Sequence, residues 1–151
     1  MEDFPPRHAI SRARFFLQKA EQCTVQQRDE CEAYLEAAIV FARTALLRLQ
    51  WEYEKHPKWK SWWDGLLANV AVCFIRVERN CIIHERPPKI GQVIRVGQTS
   101  GLAADLYYYE SPDIPATDTI KRHLDEIAKL ILEGQTLFVS TVKADEKQKV
   151  D

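Results

Sequence analysis

No stretch of this chain approaches the roughly 18 uninterrupted apolar residues that a membrane helix requires, so no membrane span is expected. CxxC spacing is missing as well. Cys23, Cys31, Cys73 and Cys81 stand apart within apolar helical patterns and read as reduced core residues of a cytoplasmic protein. There is no GxxxxGKS, GxGxxG or GxSxG, which excludes the common nucleotide-binding loops and the serine-hydrolase elbow. His8, His56 and His123 show no HxxxH or HxxE spacing, so neither a metal site nor a cofactor is expected. The opening residues Met1-Glu2-Asp3-Phe4-Pro5-Pro6 have neither the basic nor the apolar segment of a secretory leader. Repeats and low-complexity tracts are lacking too. A net charge of −1 argues against a surface that binds nucleic acid indiscriminately, and leaves room only for a local basic site.

What is there suits one globular domain. A chain of 151 residues, 46% hydrophobic and 28% charged, can bury a single core, expected to span about residues 8–135. Four helical segments follow from apolar spacing. The first covers residues 8–23, with Ile10, Ala13, Phe16, Leu17 and Ala20 on one face. Thr24 and Gln27 make a capping box for the second, and His56-Pro57 ends it. Its apolar positions are Cys31, Tyr34, Leu35, Ala38, Ala42, Ala45, Leu46, Leu49 and Tyr53, with Arg28, Glu32, Glu36, Arg43 and Arg48 between them. Ser61 and Asp64 form another capping box, opening a segment in which Trp63, Leu66, Leu67, Val70, Phe74, Val77 and Cys81 are expected to face inward. This third segment is either one helix or two, since Asn69 could cap a separate helix, and a break near residues 65–69 is favoured.

Residues 92–96 and 106–110 have strand character around the turn-like 97–101, which predicts a small hairpin. Trp59, Trp62 and Trp63 are expected in the core or an interface, and Tyr107-Tyr108-Tyr109 to alternate across a strand. Thr117 or Asp118 caps a final helix through Ile120, Leu124, Ile127 and Ile131, followed by a frayed polar tail at 143–151. The fold expected is mainly α: an antiparallel bundle of four to five helices with a small β-hairpin inserted before the last.

The third segment closes on Arg79-Asn80-Cys81-Ile82-Ile83-His84, between Glu78 and Glu85, and Arg86-Pro87-Pro88 stops it. Arginine is a permanent bidentate phosphate clamp, and histidine is the side chain that shuttles protons near neutrality. Together they make a candidate phosphodiester-cleaving pair. The spacing alone carries little, because a histidine near a helix C-terminus is also favoured by the macrodipole. Side chains five positions apart on an ideal helix point about 140° away from each other. They converge only if the helix bends or ends between them, or across a two-fold axis where two copies meet. The apolar Cys81-Ile82-Ile83 suits a packed seam at such an axis. Arg76, Arg86, Lys89 and Arg95 outnumber the nearby Glu78 and Glu85, giving the local sign a phosphate chain requires.

The segment Glu78-Arg79-Asn80-Cys81-Ile82-Ile83-His84-Glu85 resembles the R-N-x-x-x-H form of the RX4–6H motif of HEPN domains. Arg14-Phe15-Phe16-Leu17-Gln18-Lys19-Ala20-Glu21 is similar to the first helix of that family. Tyr34-Leu35-Glu36-Ala37-Ala38-Ile39-Val40-Phe41-Ala42-Arg43-Thr44-Ala45 is similar to its long second helix, and residues 59–77 to the stretch leading into the motif. The resemblance spans about residues 8–86, with a weaker match at the final helix. It implies a homodimeric, metal-independent endoribonuclease whose two motifs face each other and leave 2′,3′-cyclic phosphate and 5′-hydroxyl ends.

In that scheme Arg79 binds the scissile phosphate, His84 moves the proton, Asn80 orients His84 or the phosphate, and Glu78 holds Arg79. Arg76, Arg86 and Lys89 are the candidate RNA contacts. The resemblance further suggests the toxin of a toxin–antitoxin or phage-defence pair, with an antitoxin or nucleotidyltransferase as partner. Toxins paired with a nucleotidyltransferase often carry a tyrosine two residues past the histidine as the modification target; here Arg86 stands there, which argues against that route. The alternative is a catalytically inactive HEPN-like dimer that serves as a binding or adaptor partner.

Overall fold

A computed structural model describes residues 5–84, 90–92, 104 and 106–148, with side chains through Val139. Pro6, whose missing N–H costs nothing at a helix start, opens α1 (Pro6–Glu21). Ala9, Ala13, Leu17 and Ala20 form its buried stripe. The second helix, α2 (Arg28–Tyr53), answers with Cys31, Leu35, Ala38, Ile39, Ala42, Ala45, Leu46 and Leu49. With alanine prominent on both faces the two backbones approach closely, and α1 with α2 is the most extensive helix pair. Phe16 seals its edge, stacking on Phe41 with centroids 5.7 Å apart and on Tyr34 at 6.4 Å. Between the helices the Gln27 side chain accepts the Thr24 N–H at 3.0 Å. The expected capping box therefore exists, but it opens a 3-10 turn, Val25–Gln27, that runs into α2.

The third segment is two helices. The first, α3 (Trp59–Leu66), begins at Trp59, so Ser61 and Asp64 lie inside it and do not cap it. Trp59 is buried and packs on Trp63, Trp62 and Phe138 with centroids 5.1–5.5 Å apart. This hub requires Gly134: a Cβ there would lie 2.7 Å from the Trp62 ring. After two turn residues Asn69 caps α4 (Val70–Ile83), its side-chain oxygen accepting N–H bonds from Ala71 (2.9 Å) and Val72 (3.3 Å). The Asn69 amide in turn donates to Glu126 at 3.4 Å.

That break corrects the expected inward face. A phase extrapolated from Trp63 does not survive the three residues between the helices. The buried positions of α4 are Ala71, Val72, Phe74, Ile75 and Glu78, whereas Val70 is 72% and Val77 45% exposed. Cys73 is exposed and Cys81 half-buried, so only Cys23 and Cys31 are core cysteines; all four are free.

The hairpin is shorter than expected. Its strands, β1 (Ile90–Gln92) and β2 (Leu106–Tyr108), run antiparallel with Ile90 opposite Tyr108 and Gln92 opposite Leu106. The turn expected at 97–101 lies outside the described residues. Tyr107 lies over Gly91, where a Cβ would meet its ring at 2.6 Å, while Tyr108 is buried and Tyr109 exposed, the expected alternation. The hairpin is moored to the connection between α1 and α2: Ala104, at φ 52°, donates its N–H to Cys23 O at 3.0 Å, and the Gln92 amide donates to Ala104 O at 2.9 Å.

The last helix, α5 (Ala116–Gln148), starts one residue after Pro115. It buries Ile120, Leu124, Ile127, Ile131 and Phe138, and its backbone stays helical through 143–148, where fraying was expected. The result is a mainly helical bundle of five α-helices with a two-stranded hairpin before the last, among the described residues. No described helix is long and apolar enough to cross a membrane.

Candidate active site

The end of α4 separates the two residues of the motif by environment. Arg79 is half-buried in the last helical turns. His84 is exposed and is the C-cap, at φ −94° and ψ 12°, with its N–H donating to Asn80 O at 3.0 Å. The helix thus ends at Ile83, within the motif. No hydrogen bond or ion pair joins Arg79 to His84 among the described residues. Asn80 is exposed and meets His84 through its backbone carbonyl, not through the side-chain amide that was expected to orient it.

Glu78 also departs from its expected role beside Arg79. It is only 3% exposed and lines the spaces around Tyr108, Ile82 and Phe74. Tyr108 is itself buried, and burial together with Glu78, Cys31, Glu36 and Glu32 raises its pKa well above the usual phenol range. Arg86 and Lys89, expected as RNA contacts, lie outside the described residues, as do Glu85 and Arg95.

Arg79 instead keeps company with arginines. Helices α2 and α4 pack together, and Glu36 and Ile39 line a small space with Glu78 and Ile82. One turn beyond Ile39, Arg43 is near enough to Arg76 and Arg79 to feel their charge. Burial, then the positive charges of Arg76 and Arg79, hold the Arg43 guanidinium below the usual arginine range. Its Nη1 is buried and has no hydrogen-bond partner. Neither Arg76 nor Arg79 holds a carboxylate among the described residues, unlike Arg14, paired to Asp125 at 2.7 Å, and Arg28, paired to Glu32 at 3.0 Å. Arg76 was expected as a phosphate contact. Arg43 was not singled out, although its place offered a signal: it sits four residues after buried Ile39 and three before buried Leu46, within the apolar stripe.

A second polar pair lies on the other flank of α4. His123 donates to Glu110 across 2.7 Å, and its ring stacks on Phe74 with centroids 4.4 Å apart. Beside it is an open groove of about 320 Å³ walled mainly by Val70, Cys73, Phe74, Val77, Tyr108 and Glu110. This explains His123 as a satisfied structural histidine facing β2. Among the described residues, no group of three or more histidines, cysteines or carboxylates is placed to hold a metal ion. The buried thiols are unsuited to nucleophilic chemistry, because burial and Cys23 push Cys31 up to about 12 and leave it protonated. The chemistry available is therefore phosphate recognition by guanidinium and proton transfer by an exposed imidazole. No family model, curated protein or solved structure matches the chain.

Proposed function

We propose that this protein is a HEPN-type endoribonuclease that acts as a homodimer. The observation that carries the reading is the pairing of environments at the end of α4. An exposed imidazole caps the helix while Arg79, five residues back, lies near other guanidiniums with no carboxylate partner among the described residues. Evolution for stability alone favours pairing buried arginine with an acceptor, and arginines that hold no carboxylate among the described residues, near an exposed imidazole, suit a substrate that brings its own negative charge.

In the proposed reaction the RNA 2′-oxygen attacks the adjacent phosphorus as His84 takes its proton. The bond from phosphorus to the 5′-oxygen breaks, and that oxygen receives a proton from the His84 of a second copy. The products are a 2′,3′-cyclic phosphate and a 5′-hydroxyl. Arg79 binds the nonbridging oxygens and stabilises the charge that grows on them, with Arg76 as a second contact. General acid–base help of this kind contributes roughly 10²–10⁴-fold. A second copy also answers the geometry, since no hydrogen bond or ion pair joins Arg79 to His84 of one chain among the described residues. Exposed Ile83 (49%) and Val77, on the motif helix itself, supply apolar surface for that pairing. An antitoxin or nucleotidyltransferase would be the partner that silences the dimer.

The test is incubation of the purified dimer with single-stranded RNA in the presence of a chelator, with end-group analysis. Cleavage leaving cyclic phosphate ends, lost in His84→Ala, supports the enzyme. A well-folded dimer that leaves varied RNAs intact refutes it and points to an adaptor.

A further inference from the structure

We propose that Arg43, Arg76 and Arg79 together form a three-guanidinium seat for a phosphate group in the crease between α2 and α4, with Arg43 as its floor. Three observations converge on it. Helix α2 packs on α4, with Ile39 lining a space shared with Glu78 and Ile82, and Arg43, one turn further along α2, lies within the field of Arg76 and Arg79. Arg43 Nη1 is buried and unpartnered, so an N–H donor already stripped of water awaits an acceptor. Among the described residues no ion pair joins a carboxylate to Arg76 or Arg79, and Glu36 lies two turns back along α2, at the space around Tyr108.

A planar guanidinium donates two parallel N–H bonds to two oxygens of one phosphate. Three of them from two helices can surround a tetrahedral oxyanion that a single motif arginine only grips from one side. Empty, the seat brings like charges together: burial first, and then the charges of Arg76 and Arg79, lower the pKa of Arg43. Occupied, it is neutralised. The seat is therefore a source of instability that its ligand removes. That the phosphate belongs to an RNA backbone rests on the ribonuclease reading; the seat itself requires only phosphate chemistry.

Thermal unfolding of the full chain in phosphate-free, low-salt buffer tests this, with two probes: pyrophosphate, and an all-deoxy oligonucleotide that lacks the 2′-nucleophile. Both should raise Tm by roughly 3–6 °C beyond a chloride control of equal ionic strength. Arg43→Met keeps the stem but not the charge. It should start about 1–3 °C above the parent and lose most of the increment, while Arg43→Lys keeps part of it. Should Arg43→Met fail to fold, Arg76→Gln must cut the increment in the same way. The oligonucleotide affinity should also lose about 0.7 of a unit of salt slope for each phosphate contact removed.

No rise in the parent, or a full rise in Arg43→Met and Arg76→Gln, overturns the seat. A rise with both probes but no RNA cleavage leaves the seat standing and removes the nuclease. A rise with pyrophosphate alone assigns the seat to a free phosphate compound. His84-dependent cleavage with no Arg43-dependent rise does the reverse: the nuclease stands and the seat falls.

Discussion

The crease between α2 and α4 carries opposite charges at its two ends. Next to the hairpin, Glu32, Glu36 and Glu78 gather around buried Tyr108; two turns further along α2, Arg43 faces Arg76 and Arg79. Each end is displaced toward its uncharged forms. Burial and then Glu32 raise Glu36, while burial and the neighbouring arginines lower Arg43. What separates them is access. The acidic group is closed over by Tyr108, Ile82 and Ile90, whereas Arg76 and Arg79 are half-exposed on α4. The acidic group is a packed joint between hairpin and bundle, and the arginines are where, on the phosphate-seat proposal, an external anion would enter.

The comparison breaks most visibly in activity. Arg79→Ala and His84→Ala should each slow RNA cleavage by roughly 10²–10⁴-fold in single-turnover assays, with unchanged circular dichroism. Glu36→Gln should leave the rate within about twofold. Equal losses at both ends would erase the distinction drawn between them. Next in size is Tyr108→Ala, which empties the closed end and should cost about 3–5 kcal/mol in urea unfolding. Gly134→Ala supplies a yardstick away from either end. The added methyl drives into Trp62, destabilising by about 1–3 kcal/mol, while cleavage per folded molecule stays constant.

The smallest effect concerns pH. Since the Glu36 carboxyl lies above its ordinary value near 4.5, the folded state binds that proton more tightly than the unfolded chain does. Glu36 thus makes stability fall as pH rises from 4.5 through its folded pKa. Glu36→Gln should remove that component and gain about 0.5 kcal/mol at neutral pH, a gain that fades on acidification. A gain independent of pH would mean that charge is not what strains this end.

Much of the scaffold was legible because its signals are local. Pro57 after Tyr53, Thr24 with Gln27, and the 3,4 spacing through Leu35, Ala38, Ala42 and Leu49 all act within a turn or two. The break at Asn69 was legible for the same reason. Its consequence for phase was not, because α4 takes its orientation from α2, α5 and β2, none of which is near in sequence. Hence Val70 and Val77 turn outward and Glu78 inward. Arg79 and His84 stood out as a motif, yet Arg43 did not. An arginine among alanines resembles a solvated face until the facing helix shows two more arginines. Like charges brought together across a crease are a property of packing, invisible to any window along the chain.

The Asn69 cap has one more consequence. It ties the start of α4 to Glu126 of α5, and the 14 residues that follow extend about 21 Å to the motif. The helix is a lever with its pivot at Asn69. A tilt of about 3° there displaces His84 by about 1 Å, enough to cost on the order of a hundredfold in a reaction that depends on alignment. For the proposed ribonuclease, the angular precision at His84 is thus set at the opposite pole of the helix, by the Asn69 side chain.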